Sequence, residues 1–140
     1  MATKPENQYI SAVHKGLPSK EVLYREKMHN PFSSGTADWW YSGDLADLWV
    51  EYKFLAALPK RDNTSILAEL SPLQKDWLEG RHREGRNVAV VIGSPEGAVV
   101  LRFPDWLKPT PRFIFIRDAL TKRQIAEWIQ LETLGRICAI

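Results

Sequence analysis

The chain has 140 residues, a formal net charge of +2 and a sequence pI near 8.7, which leaves room for one domain with a sizeable core and allows a polyanionic partner through a local surface. Cys138 is its single cysteine, which excludes an internal disulfide framework and a cysteine-based zinc cluster within one chain. The first seven residues lack the apolar run of a signal peptide and nowhere do about eighteen apolar residues follow one another, so the expectation is a soluble, cytoplasmic protein with no membrane partner.

No period of roughly twenty to fifty residues repeats and no segment is of low complexity, so residues 1–140 read as one unit. Its core spans about 5–103, and a tail, 104–140, packs onto it. From Pro5 to Leu17 the residues Glu6, Ile10, Val13 and Leu17 recur at helical spacing, which places one acid on an apolar stripe, and Pro18 is the expected stop. Asn30 to Thr36 reads as a loop, Asp38 to Tyr41 as an aromatic-rich strand and Ser42-Gly43-Asp44 as a turn.

Leu48 to Leu55 alternates Val50, Tyr52 and Phe54 on one face with Trp49, Glu51 and Lys53 on the other, a strand that carries charge on an otherwise apolar element. Leu58 to Ser65 reads as a loop. Ser71-Pro72-Leu73-Gln74 has the start signature of a helix that Gly85 closes: an N-cap, Pro in the first turn and a capping-box residue. Val88 to Ile92 is a buried-type strand, turned back by Gly93 to Gly97 into a strand over Ala98 to Phe103. Beyond the prolines at 104, 109 and 111, Arg112 to Arg117 reads as a strand and Thr121 to Thr133 as an amphipathic helix.

Pairing the strands at 38–41 and 48–54 as an antiparallel hairpin sets Tyr41 opposite Leu48 and Asp38 opposite Glu51, with Cβ atoms about 4.5–5.5 Å apart. Two carboxylates that close repel unless a proton, a basic side chain or a divalent cation intervenes. Lys53 lies on the same face as Glu51, roughly 6.7 Å along the strand, near enough to serve one site and too far to neutralise both acids. Mg²⁺ suits such a pair, because it takes one or two carboxylates and keeps waters that a substrate phosphate replaces. A Glu-x-Lys pair alone is more often a solvated strand face, so the weight rests on the combination.

In order, Gly35-Thr36-Ala37-Asp38, Glu51-Tyr52-Lys53 and Leu70-Ser71-Pro72-Leu73-Gln74 followed by a Val-rich strand resemble the PD-(D/E)XK superfamily. Within it, residues 5–101 are similar to VRR-NUC nucleases, especially the short stand-alone phage-type proteins related to Holliday junction resolvases. The resemblance implies an α/β, restriction-endonuclease-like core, a mixed central β-sheet flanked by helices. It implies a divalent-metal-dependent endonuclease acting on DNA, branched or Holliday-junction DNA first. Asp38, Glu51, the Tyr52 backbone carbonyl and Glu6 would be ligands of Mg²⁺, with Mn²⁺ able to substitute. Lys53 would be the catalytic lysine, and Gln74 would support the site alongside Asp38, Glu51 and Glu6. Symmetric double incision implies a homodimer, for which the Trp-rich segments and the tail are candidate surfaces. A phage-encoded chain would work in the host cytoplasm.

Several residues have plainer readings. Glu6 is also a helix-start acid favoured by the dipole, and Gln74 is also a capping-box side chain, a pair of roles hard to fill together. Asp44 and Asp47 are rival ligands whose turn location favours structure, and Ala37 stands where the family usually has proline. The basic stretches Lys15 to Lys27, Lys60-Arg61 and Lys75 to Arg86 bracket the site as phosphate contacts or are solvated charges. His14, His29 and His82 lack ligand spacing, which excludes a zinc enzyme of the His-x-x-x-His kind. Two other functions fit the same fold: a catalytically silent nucleic-acid-binding or assembly module, and a nuclease for unbranched DNA or RNA.

Overall fold

The computed structural model describes residues 3–29 and 35–138; most of the loop expected at Asn30 to Thr36 lies outside them. The chain runs α1 (Lys4–His14), β1 (Tyr24–Lys27), β2 (Trp39–Ser42), β3 (Asp47–Phe54), β4 (Ser65–Ile66) and α2 (Pro72–Arg83). It continues through β5 (Val88–Ser94), β6 (Gly97–Leu101), a 3₁₀ turn (Asp105–Leu107), β7 (Thr110–Pro111), α3 (Arg112–Asp118) and α4 (Lys122–Leu134). Five strands form one sheet in the order β1-β2-β3-β5-β6, and β4 and β7 form a separate ribbon. Only β3 and β5 are parallel within the large sheet, joined by the crossover that carries α2.

Helices cover both faces of the sheet, which is why β5 is buried at every residue and reads as a continuous apolar run. On one face Ile10 and Val13 of α1 and Ile125 and Ile129 of α4 pack on Leu48, Val50 and Tyr52 of β3. On the other, Leu78, Trp106 and Phe115 pack on Val88, Val90 and Ile92 of β5. The alternation of β3 therefore sorts its residues by layer, with Trp49, Glu51 and Lys53 on the α2 side.

α1 ends at His14 and not at Pro18. The chain turns through Gly16, where a Cβ would come within 2.9 Å of Ala126 in α4, and Leu17 stays buried beyond the helix. Arg112 to Arg117, expected as a strand, is α3. A short apolar run suits either element, and tertiary packing decides: Phe115 is fully buried while Phe113 is half exposed. β1 was not foreseen, because its Tyr-Arg-Glu-Lys sequence is mostly exposed and carries the charge usual for an edge strand.

A buried polar chain ties α1 to the hairpin. His14 Nε2 and the Tyr41 hydroxyl lie 2.7 Å apart, and the Tyr41 and Tyr52 hydroxyls 2.6 Å apart. Burial, with Arg25 and Lys20 nearby, pushes the His14 pKa down to about 4, so the folded protein holds the neutral imidazole. A histidine free to protonate near pH 6.5 when unfolded then withdraws stability as pH falls from 6.5 towards 4. Urea unfolding at pH 7 and pH 4.5 should show a loss about 2 kcal/mol larger for the wild type than for His14→Gln; equal losses would contradict the buried neutral imidazole.

Candidate active site

Asp38 sits just before β2, and the hairpin register carries it to its place. Trp39 pairs with Val50, Trp40 with Trp49 and Tyr41 with Leu48, so continuing the count sets Asp38 opposite Glu51. The approach to Asp38 is fixed by Gly35, whose φ of +103° belongs to glycine and whose Cβ position would lie 2.5 Å from the Leu73 carbonyl. Gly35 is thereby pressed onto the first turn of α2. Ala37 is fully buried in the α2-side core.

The Asp38 Oδ2 accepts the Tyr52 backbone N–H at 3.0 Å. Because the N–H and C=O of a strand residue point to the same edge, the Tyr52 carbonyl is turned towards the edge where Asp38 stands. Glu51 is only 2% exposed. Its Oε2 accepts from Gln74 Nε2 at 3.2 Å and lies 3.7 Å from Lys53 Nζ, whereas its Oε1 is buried with no partner. Burial first, the Asp38 carboxylate second and the charge of Glu6 in smaller measure push the Glu51 pKa up to about 9, against the pull of Lys53.

Gln74 fills both roles that looked mutually exclusive. Its Oε1 accepts the Ser71 N–H at 2.9 Å, while Ser71 Oγ accepts the Gln74 N–H at 3.1 Å, which completes the capping box of α2. The same Oε1 accepts from Lys53 Nζ at 3.3 Å, and the Nε2 donates to Glu51. A carbonyl oxygen has two lone pairs and an amide nitrogen two protons, so one side chain both caps the helix and clamps the acid and the ammonium.

Glu6 stands in the first turn of α1, where its N–H bonds the Thr3 hydroxyl. Burial first and then Asp38 raise its pKa, opposed by Lys53, the N-terminus and Lys27, which places it in the same electrostatic neighbourhood. Among the described residues no three His, Cys, Asp or Glu side chains gather tightly enough to hold an ion as a set. The oxygens that could serve one cation are those of Asp38, Glu51 and the Tyr52 carbonyl, with Glu6 contributed by α1. The unpartnered Glu51 Oε1 beside a second carboxylate is what a hard, oxygen-preferring cation would satisfy, so the donors fit Mg²⁺ or Mn²⁺.

Asp44 and Asp47 lie at the far end of the hairpin. Asp47 accepts from Trp40 Nε1 at 3.1 Å and Ser42 Oγ at 2.7 Å, and Asp44 pairs with Arg136 at 3.4 Å, so both act in the turn. Arg25, from the basic stretch 15–27, donates to the Pro18 and Leu23 carbonyls, whereas Lys60, Arg61, Lys75, Arg83 and Arg86 are exposed. Beside Glu51 on its own face, Trp49 stacks on Trp40 at 5.6 Å and meets Trp77 edge-on at 5.5 Å. The sequence did not connect His14 and Tyr41 with the site; they hold Tyr52 from behind, and contacts so distant along the chain leave no local signal.

Because folding favours the protonated Glu51 carboxyl, that group supplies stability below pH 4.5 and withdraws it as pH rises towards 9. In EDTA, Glu51→Gln should therefore unfold at a higher temperature than the wild type at pH 8, by the equivalent of at least about 2 kcal/mol, and the gap should shrink near pH 4. A variant less stable than the wild type at pH 8 would refute the strained carboxyl.

No protein-family model matches the chain, and none of the curated proteins does. Among solved structures it is similar to the Holliday junction resolvase Hjc of the archaeal hyperthermophile Archaeoglobus fulgidus, with a TM-score of 0.53. The likeness covers 91% of this chain and 99% of the resolvase at 13% identity. It is a likeness of fold: a five-stranded mixed sheet flanked by helices, the resolvase and restriction-endonuclease-like arrangement.

Proposed function

We propose that the protein is a divalent-metal-dependent endonuclease of the PD-(D/E)XK class, close to the stand-alone phage-type VRR-NUC nucleases, that cuts branched DNA. The observation that carries this reading is the convergence of Asp38, the buried Glu51 with its unpartnered oxygen, Lys53 and Gln74 at the end of β3. The fold shared with a Holliday junction resolvase makes junction DNA the first substrate to test. No described helix is long and apolar enough to cross a membrane, and the cytoplasm, the host's if the chain is phage-encoded, is the compartment we assign.

In this reading Asp38, Glu51 and the Tyr52 carbonyl would hold Mg²⁺, for which Mn²⁺ would substitute, and Glu6 would act from α1. The bound cation would polarise the scissile phosphate and acidify an attacking water. Lys53, its side chain 25% exposed, meets the charge that accumulates on phosphate oxygens or steadies the water, which suits a compact ammonium. Gln74, bonded to both, keeps that ammonium and Glu51 in register. The exposed Lys60, Arg61, Lys75, Arg83 and Arg86 are available to bind DNA phosphates. Two symmetric incisions call for two copies of this single site, so the working form is a homodimer.

Labelled four-way junction, flap, duplex, single-stranded DNA and RNA, each with Mg²⁺ and with EDTA, should show cleavage of branched DNA that EDTA abolishes. Lys53→Ala should lower turnover by about a hundredfold or more with DNA affinity kept, whereas Asp38→Asn and Glu51→Gln should also weaken Mg²⁺ binding. Intact substrates throughout would favour a silent nucleic-acid-binding module, selective cutting of RNA or plain duplex would change the target, and wild-type turnover by Lys53→Ala would remove that residue from the mechanism.

A further inference from the structure

Where the α1 face of the sheet meets the end of β3, a cavity of about 470 Å³ is lined by Pro5, Tyr9, Phe54, Glu96, Leu120 and Lys122. That volume lies within the range of small-ligand sites, roughly 300–1,000 Å³. Its residues adjoin the proposed catalytic groups along the chain: Phe54 follows Lys53, and Pro5 and Tyr9 flank Glu6 in α1, with Tyr9 one turn on and on the same side. The cavity and the acids thus share one end of the sheet, on opposite sides of β3.

The walls are mostly apolar and partly aromatic. The Tyr9 and Phe54 rings have centroids 5.6 Å apart and are tilted by 38°. The Ser94 hydroxyl is already committed, donating to the Gly97 carbonyl at 2.7 Å and accepting the Glu96 N–H at 3.2 Å. Tyr9, in contrast, is 4% exposed and its hydroxyl is buried without any partner. That hydroxyl has no accessible surface, so Phe54, which is partly exposed, presents more of the aromatic face than Tyr9 does.

The charges at the lip distinguish what enters. Glu96 repels a phosphate but accepts from ring or exocyclic N–H groups, and Lys122 offers a cation to a phosphodiester. We infer that this cavity takes the base of one nucleotide of the DNA being cut, turned out of the stack beside the scissile phosphate, with Tyr9 and Phe54 as its aromatic wall. This rests on the nuclease reading above and deepens it. Extrusion is cheapest where a base is already unpaired, so the site selects DNA with an unpaired or poorly stacked nucleotide next to the cut.

The test uses the full chain in EDTA, so that binding is read without cutting. Short single-stranded DNA oligonucleotides of mixed sequence carry an abasic sugar at each position in turn. Amide NMR shifts should move and saturate at Tyr9, Phe54, Gly97 and Leu120, and one abasic position should weaken binding about tenfold, as expected for loss of a base stacked on aromatic side chains. Gln8→Trp, a substitution at the exposed rim, should remove both effects and leave affinity for the abasic strand unchanged. Phe54→Leu, which removes the more exposed ring, should weaken binding of the unmodified strand and leave that of the abasic strand unchanged. Equal affinity at every abasic position, or binding with no shift at the cavity, overturns the inference. A chain that fills the cavity but never cuts DNA supports the nucleotide site and sinks the nuclease reading, and one that cuts with the cavity silent does the reverse.

Discussion

The architecture depends on one costly placement, a carboxylate on the inner part of β3 where water barely reaches it. Glu51 is surrounded by Val90 on the neighbouring strand, the α2-side core and the Asp38 acid, and neither Lys53 nor Gln74 satisfies its second oxygen. An isolated protein could place glutamine or leucine there at lower cost. Keeping the acid makes sense when a positive partner arrives from solution, and the rest of the scaffold keeps both acids where such a partner would meet them.

Each layer contributes to that placement. The parallel pairing of β3 with β5 holds Glu51 in the middle of the sheet, and the hairpin register delivers Asp38 to the end of β2. The His14–Tyr41–Tyr52 chain locks the reverse face of the same strand. α2 adds the most economical device, an N-cap whose glutamine also bridges the acid and the ammonium. Disturbing that helix start would therefore be felt at the site before it was felt in the fold, because Gln74 spans the two.

Much of this could be read in the sequence where local chemistry is strong. The alternation in 48–55 showed which side of β3 carries Glu51 and Lys53, and counting outward from the turn placed Asp38 opposite Glu51. The Ser-Pro-x-Gln start fixed α2. What escaped depended on partners far along the chain. β1 has no apolar period because it is an exposed edge, α3 looked like a strand because the four-residue apolar run Phe113 to Ile116 has no decisive period, and the dual bonding of Gln74 needed the distance between α2 and β3. The cavity beside Tyr9 is likewise a product of assembly, since α1, the β5–β6 turn and the start of α4 each supply part of its lining.

In the function proposed above, Asp38, Glu51 and the Tyr52 carbonyl would together seat a divalent cation. Anomalous diffraction from crystals soaked in Mn²⁺ measures this most directly. A peak is expected between the Asp38 and Glu51 carboxylates on the side of the Tyr52 carbonyl, and it should be lost in Glu51→Gln. A peak confined to the Asp44 and Asp47 turn, or carboxylates that remain without metal at millimolar Mn²⁺ and pH 8, would contradict it.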